Sequence, residues 1–287
     1  MKNFNIKSYC KINLFLNVLK KLKNGYHKID SLITFCYIYD VIKISKISDQ
    51  RDKISFSGKF KKNIDKNTNT VTKLLSLLRK DKYLENQFFK IDIKKNIPHG
   101  SGLGGGSSNA AYILNYLNLK MKLKIQKKEI SKIARKIGFD VPISLEKKNT
   151  FLNGKNNKII RINKNFNFNL LIVYPNLICS TKKVYKKNKK ISFLSKKYFF
   201  YNKKNKELIG LLQNQNNDLQ DSAIKIYPKI KKIIDYIKSQ KGCYFSRITG
   251  SGSACIGIFA SMRSAVYAQK LIKTRYPNYW CVTSKTI

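Results

Sequence analysis

Residues 98–111 read Pro98-His99-Gly100-Ser101-Gly102-Leu103-Gly104-Gly105-Gly106-Ser107-Ser108-Asn109-Ala110-Ala111. Five glycines in so short a run free the backbone for positive φ and keep Cβ atoms away from whatever approaches. Successive bare N–H groups can then turn inward and form a nest for an anion. The flanks fix the context: Phe88–Lys94 alternates apolar and polar residues, and Ala110, Leu114, Leu117 and Met121 recur at helical spacing. A loop between a strand and a helix gains the unpaired N–H donors and the positive end of that helix. Ser107 and Ser108 suit a helix cap, a phosphate contact or a metal contact. The chemistry implied is the holding of a polyphosphate.

Two familiar phosphate loops do not fit. Gly100, Gly102 and Gly105 match G-x-G-x-x-G, but the acidic residue expected about 20 residues on would be Glu129, which lies inside a helical pattern. No lysine follows the glycines, as a Walker loop requires. The strand and amphipathic helix on either side argue against the alternative, a flexible linker. Elsewhere, Lys11 and Asn13 alternate with Ile12, Leu14, Leu16 and Val18; they either meet a phosphate together or form a solvated strand face. Asn24-Gly25 is a strong hairpin signal, and Tyr26 and His27 follow at once. They are either an exposed turn, or an aromatic face and an imidazole suited to stacking on a base and bonding its edge.

The run Gly-Leu-Gly-Gly-Gly-Ser-Ser-Asn-Ala-Ala at 102–111 resembles the loop of the GHMP family of small-molecule kinases. Lys-x-Asn-Leu-Phe-Leu at 11–16 and Asn-Gly-Tyr-His at 24–27 resemble the first motif and substrate hairpin of the branch whose alcohol substrate carries a cytidine diphosphate. An aspartate just past a helix is by itself a turn residue, but Gly-x-Asp-Val-Pro at 138–142 resembles the segment that carries the family's catalytic aspartate. Thr-Gly-Ser-Gly-Ser at 249–253 is similar to the third family motif, and Thr181 with Tyr185 to a cytidine-lining pair.

The resemblance implies an α+β, two-domain fold. A ribosomal-protein-S5-domain-2-like ATP-binding domain would occupy residues 1–160 and a ferredoxin-like domain residues 161–287. It implies ATP with Mg²⁺ as cofactor, and phosphorylation of an alcohol in isoprenoid-precursor synthesis. Lys11 and Asp140 would be catalytic, and Pro98 through Ser108 would surround ATP. Asn13, Tyr26, His27, Thr181 and Tyr185 would bind the substrate, and Gly250, Ser251, Gly252 and Ser253 would close over the site. No acidic metal ligand is assigned; Ser108 is the one candidate contact. Homoserine- and mevalonate-type kinases of the family are the nearest alternative, and Tyr26-His27 argues for a substrate with a base.

Composition bounds the remaining classes. With 287 residues and 43% hydrophobic content the chain has the means for a proper core. The six cysteines, Cys10, Cys36, Cys179, Cys243, Cys255 and Cys281, are scattered without a C-x-x-C pair, which argues against a zinc site or disulfide framework. The formal charge of +44 points to a nucleic-acid partner at first sight. The lysines, however, are spread through every segment and accompanied by abundant Asn, Ile, Phe and Tyr, the pattern of A/T-rich codons. A basic nucleic-acid-binding protein is therefore only the second alternative, and no nucleic acid is expected as functional target. No run approaches the roughly 18 apolar residues of a membrane span, and the N-terminus lacks a secretory signal pattern. A cytoplasmic monomer or homodimer is expected.

The elements that must position these groups follow from periodicity. One strand is expected over residues 11–18, a second over 31–39, and a strand pair within 42–62. A helix over 70–82, capped by Asn69 or Thr70, would turn Val71, Leu74, Leu75 and Leu78 inward. Lys127–Ile137 is a second helix, with Gly138 as its cap. The Lys-, Asn- and Gly-rich residues 147–164 would carry the domain boundary, and the basic residues 186–206 a surface insertion. A strand over 168–174, a helix beginning at Asn217-Asp218-Leu219 and another through Ile230, Ile233, Ile234 and Ile237 come next. The chain then reads strand, glycine turn, strand, helix and strand from 244 to 284.

Overall fold

The computed structural model describes all residues except 1–4, 24, 63, 66, 156–157 and 193–202. In chain order its first elements are β1 (Asn5–Asn13), β2 (Asn17–Lys21), β3 (His27–Ile47), β4 (Lys53–Ser57), α1 (Thr70–Lys80), β5 (Phe88–Lys94), α2 (Gly105–Lys120), α3 (Lys127–Ile137) and α4 (Val141–Ser144). They are followed by β6 (Asn149–Asn153), β7 (Lys158–Ile162), β8 (Asn169–Tyr174), α5 (Thr181–Lys187), α6 (Asn205–Gln213), α7 (Gln220–Ile226), α8 (Lys229–Lys238), β9 (Cys243–Ile248), β10 (Cys255–Phe259), α9 (Met262–Arg275) and β11 (Trp280–Lys285). The chain forms two compact units, one of residues 1–11, 38–99 and 104–147, the other of residues 12–37, 100–103 and 148–287.

In the first unit β5 is the middle strand. It runs antiparallel to the end of β3, pairing Ile93 with Ile42 and Ile91 with Ile44, and parallel to β4, pairing Ile91 with Ile54. Residues 42–62 therefore hold two strands that do not pair with each other. A parallel pair needs a crossover, and α1 supplies it between β4 and β5. Asn69 caps α1, its side chain accepting from the N–H groups of Val71 and Thr72. Val71, Leu74, Leu75 and Leu78 face the core, where they meet Ile91 and Ile93 of β5, Leu114 and Leu117 of α2 and Ile133 of α3. Gly138 ends α3 with φ 177, an extended backbone rather than a left-handed cap. Pro142 then starts α4.

In the second unit β8 to β11 make a four-stranded antiparallel sheet in the order β11-β8-β10-β9. Numbered along the chain this is fourth, first, third, second, the ferredoxin-like arrangement. Leu171 and Val173 of β8, Ile233 and Ile237 of α8, and Ala268 and Ile272 of α9 share its core. The chain over 11–18 is not one strand: β1 ends at Asn13 and β2 begins at Asn17. Nor is it two-faced, since Lys11 and Asn13 are as buried as Ile12 and Leu14, which removes the solvated-face alternative. The expected strands at 31–39 and from 42 onward are one continuous β3.

At the β2–β3 hairpin Asn24 lies outside the described residues; Gly25 takes φ +80 and Leu22 N–H donates to Tyr26 O. Residues 149–162, polar and without clear alternation, form the β6–β7 hairpin, and β6 pairs with Ser31–Ile33 of β3. Gly154 is required there: a Cβ would lie 2.6 Å from the Ile29 carbonyl oxygen. Residues 193–202 of the basic stretch 186–206 fall outside the described residues; α6 begins within the stretch, at Asn205, and buries Leu208 and Leu212.

Replacing the α1 cap, Asn69→Ala, should cost the first unit about 1 kcal/mol. In urea the transition midpoint should fall while its slope stays unchanged.

Candidate active site

In the first unit the second half of the glycine loop becomes a helix start. Gly104 occupies the cap position of α2 with φ +68 and has no side chain to cap with; neither Ser107 nor Ser108 takes that role. The first-turn amides, from Gly105 on, have no partner inside the helix, the arrangement that receives an anion. Thr70 Oγ1 at the start of α1 donates to Gly106 O at 2.8 Å and holds the turn from the side.

Gly104 also makes room. A Cβ on it would stand 2.8 Å from Lys11 Cγ and 3.1 Å from Cε, so the lysine stem lies against the bare backbone. Lys11 Nζ then sits 3.3 Å from Asp140 Oδ2, with the lysine side chain 4% exposed and the aspartate 39%. Asp140 occupies the cap position of α4 without its side chain making a cap bond. Its main chain is tied to α2: Ser144 Oγ donates to Asp140 O at 3.1 Å, and Ser108 Oγ donates to Ser144 Oγ at 3.1 Å. The two charged groups, 129 positions apart in sequence, are thus brought to one helix N-terminus.

Pro98 is buried and His99 half-buried. The Nε2 of His99 is buried with no hydrogen-bond partner among the described residues. Burial, and then the charge of Lys95, push the imidazole pKa down. Asp40 and Lys95, a fully buried ion pair below this loop, have no motif to announce them. The one sign is an aspartate inside the apolar run at 38–42.

In the second unit residues 100–103 lie on the third glycine motif. Gly102, at φ +82, could carry no side chain, because a Cβ would fall 2.1 Å from Thr249 O. Ala254 N–H donates to Ser101 O at 3.0 Å, and Cys179 N–H to Gly100 O at 3.3 Å. Leu103 is buried. Asn13 anchors the same turn by donating its N–H to Thr249 Oγ1 at 2.9 Å, and its Nδ2 donates to Ser31 Oγ at 2.8 Å. Asn217 Nδ2 donates to Gly250 O at 2.8 Å, and Ser253 Oγ donates to Leu177 O. Thr181 Oγ1 lies 2.9 Å from Ser251 Oγ.

The rings of His27 and Tyr185 stack with centroids 4.7 Å apart at 30°, and Tyr26 before them is 51% exposed. Burial, then the charge of Lys21, lower the pKa of His27. A neutral imidazole has one donor and one acceptor nitrogen, which suits the edge of a base.

No group of three or more His, Cys, Asp or Glu among the described residues could hold a metal ion. Ser108 is fully buried and its hydroxyl is committed to Ser144.

Two family models match this chain, the GHMP kinases N terminal domain over residues 69–148 and the GHMP kinases C terminal domain over residues 200–274. A protein of Pelagibacter ubique named 4-diphosphocytidyl-2-C-methyl-D-erythritol kinase is 39% identical over the full length of both chains. One of the same name from Caldanaerobacter subterraneus is 33% identical, covering 98% of this chain and 96% of that one. The chain belongs to the GHMP kinase family, with its two-domain α+β fold, and membership implies ATP as phosphoryl donor. Among solved structures, a 4-(cytidine 5'-diphospho)-2C-methyl-D-erythritol kinase shares the fold with TM-score 0.75 at 22% identity, covering 98% of this chain and 99% of that one. The homoserine kinase of Cytophaga hutchinsonii does so with TM-score 0.69 at 15% identity, covering 98% and 95%. No helix among the described residues is long and apolar enough to cross a membrane.

His27 should titrate below about 6.5, the value of a free imidazole, as read from its ring-proton shifts by NMR. The sign follows: the unfolded chain takes up this proton first, so the contribution of His27 to stability is complete above about 6.5. It is lost as the pH falls towards the folded value. A midpoint at or above the free value would contradict the burial of the ring.

Proposed function

We propose that this protein is the ATP-dependent kinase of 4-diphosphocytidyl-2-C-methyl-D-erythritol, forming the 2-phosphate and ADP in isoprenoid-precursor synthesis. The observation that carries the reading is the Lys11–Asp140 pair at 3.3 Å beside the start of α2. A half-exposed carboxylate next to a buried ammonium and a row of helix N-terminal amides is what phosphoryl transfer to a hydroxyl requires.

In this mechanism the amides of Gly102 to Ser108 seat the ATP phosphates, within the stretch from Pro98 onward. Mg²⁺ bound together with ATP would supply neutralisation of the phosphates' charge. Asp140 receives or orients the proton of the C2 hydroxyl. Lys11 orients that carboxylate and offsets the charge spread over the moving phosphoryl group. His27 and Tyr185 take the cytosine ring, as their stacked pair and the neutral imidazole suit. Tyr26, Thr181 and Asn13 complete the substrate contacts, and the turn Gly250, Ser251, Gly252, Ser253 closes over them. The support for a base-bearing substrate over homoserine or mevalonate is this aromatic pair, for which those alcohols offer no partner. Names of full-length relatives at 39% and 33% identity point the same way.

Coupled ADP release tests the reading. Turnover is expected with the cytidine-bearing alcohol, with kcat/KM at least about a hundredfold above homoserine and mevalonate, because a site built for a polar ring rejects what lacks it. Equal turnover of homoserine would transfer the protein to another branch.

A further inference from the structure

Four buried polar side chains converge beneath the start of α2. Ser8 and Asp40 are fully buried, and Lys95 and Asn109 are 2% exposed. One oxygen of Asp40 accepts from the N–H groups of Asn96 and Ile97 at 2.7 and 2.9 Å. The other accepts from Lys95 Nζ, and from Asn109 Nδ2 at 3.0 Å. Lys95 Nζ also donates to Asn109 Oδ1 at 2.8 Å, and Asn109 Nδ2 to Ser8 Oγ at 3.1 Å. A carboxylate offers about four acceptor sites, and here all are engaged.

Stability alone is a poor reason for this group. An ion pair taken out of water loses about as much in desolvation as it regains, and apolar residues of like volume often serve as well. Its placement suggests a geometric reason. Asn96 and Ile97 are the residues by which the chain enters the glycine loop, and Asn109 sits where the loop has become helix. One carboxylate therefore holds both ends of the loop. Lys95 lies directly under its last turn, since a Cβ on Gly105 would be 3.4 Å from Nζ. Thr70 on Gly106 and Lys11 against Gly104 press on the same turn from other sides.

We propose that Asp40, Lys95 and Asn109 are positioning residues that clamp the two ends of the glycine loop and so preset the first-turn amides of α2 for the ATP phosphates. Preset donors need no reorganisation when charge arrives. The inference rests on the reading of that loop as the ATP cradle. It assigns the network to ATP, because Asp40 and Lys95 bond the residues at the two ends of the loop that would seat the phosphates.

Two variants test it. Lys95→Met keeps the apolar stem and removes the ammonium; Ser8→Ala only loosens Asn109. Calorimetric titration with a non-hydrolysable ATP analogue gives Kd, steady-state kinetics give KM for each substrate, and circular dichroism with thermal melting reports folding. Lys95→Met should raise Kd and KM for ATP about tenfold or more, as misplaced binding groups do, while KM for the alcohol stays within about twofold. Ser8→Ala should raise the ATP values about threefold with the fold intact. A folded Lys95→Met with wild-type ATP affinity overturns the clamp, as does an equal rise in both KM values. If Lys95→Met does not fold, an unchanged ATP Kd in Ser8→Ala overturns it. A wild-type protein that binds no ATP analogue would overturn the proposed function instead, and is told apart by that control.

Discussion

Lys11 reaches Asp140 because one residue between them has no side chain. The stem of Lys11 lies where a Cβ of Gly104 would be, and the same glycine uses its left-handed backbone to turn the loop into α2. One substitution-intolerant position thereby fixes two things at once, the direction of the first-turn amides and the path of the ammonium. The other partner is held independently. Ser108 and Ser144 link α2 to the main chain of Asp140, so the carboxylate keeps its distance even though its side chain is only partly buried. A lone surface pair would contribute little; a buried ammonium pinned by backbone packing defines a geometry.

The chemistry divides between the two units as their architectures would suggest. The first unit packs α1, α2 and α3 against β3 and β5 and presents a helix start, the natural receptor of phosphate. The second is a 4-1-3-2 antiparallel sheet, whose β9–β10 connection supplies the Thr249–Ser253 turn. Glycine is required at Gly102 for close backbone approach to that turn, not for freedom of motion. Asn13 and Asn217 satisfy the turn's polar groups, as buried polar groups demand. In the same unit the rings of His27 and Tyr185 stack on each other.

Much of this was legible in the sequence, and the rest was not for definite reasons. Local signals held: the Asn69 cap, the inward face of α1, the glycine loop between β5 and α2, and the strand–turn–strand–helix–strand close of the chain. Pairing order was not local. Nothing in residues 42–62 says that β5 inserts between β3 and β4, because parallel partners are chosen by the crossover through α1. Alternation misled at 11–18, where both faces are covered and the polar residues are buried with partners, Lys11 on Asp140 and Asn13 on Thr249. The β6–β7 hairpin was hidden by polar composition; it brings Gly154 against the Ile29 backbone, where a Cβ would not fit. Asp40 and Lys95 escaped notice because a single charge in an apolar strand has no meaning until its partner is found.

In the proposed reaction Asp140 handles the hydroxyl proton beside a separately built phosphate seat. Single-turnover transfer of labelled γ-phosphate to the cytidine-bearing alcohol, in wild type and Asp140→Asn, tests that most directly. The account predicts a transfer rate lower by about 10²–10⁴, with ATP affinity within about twofold of wild type. A transfer rate within a few-fold of wild type, or a loss traced wholly to ATP binding, would contradict it.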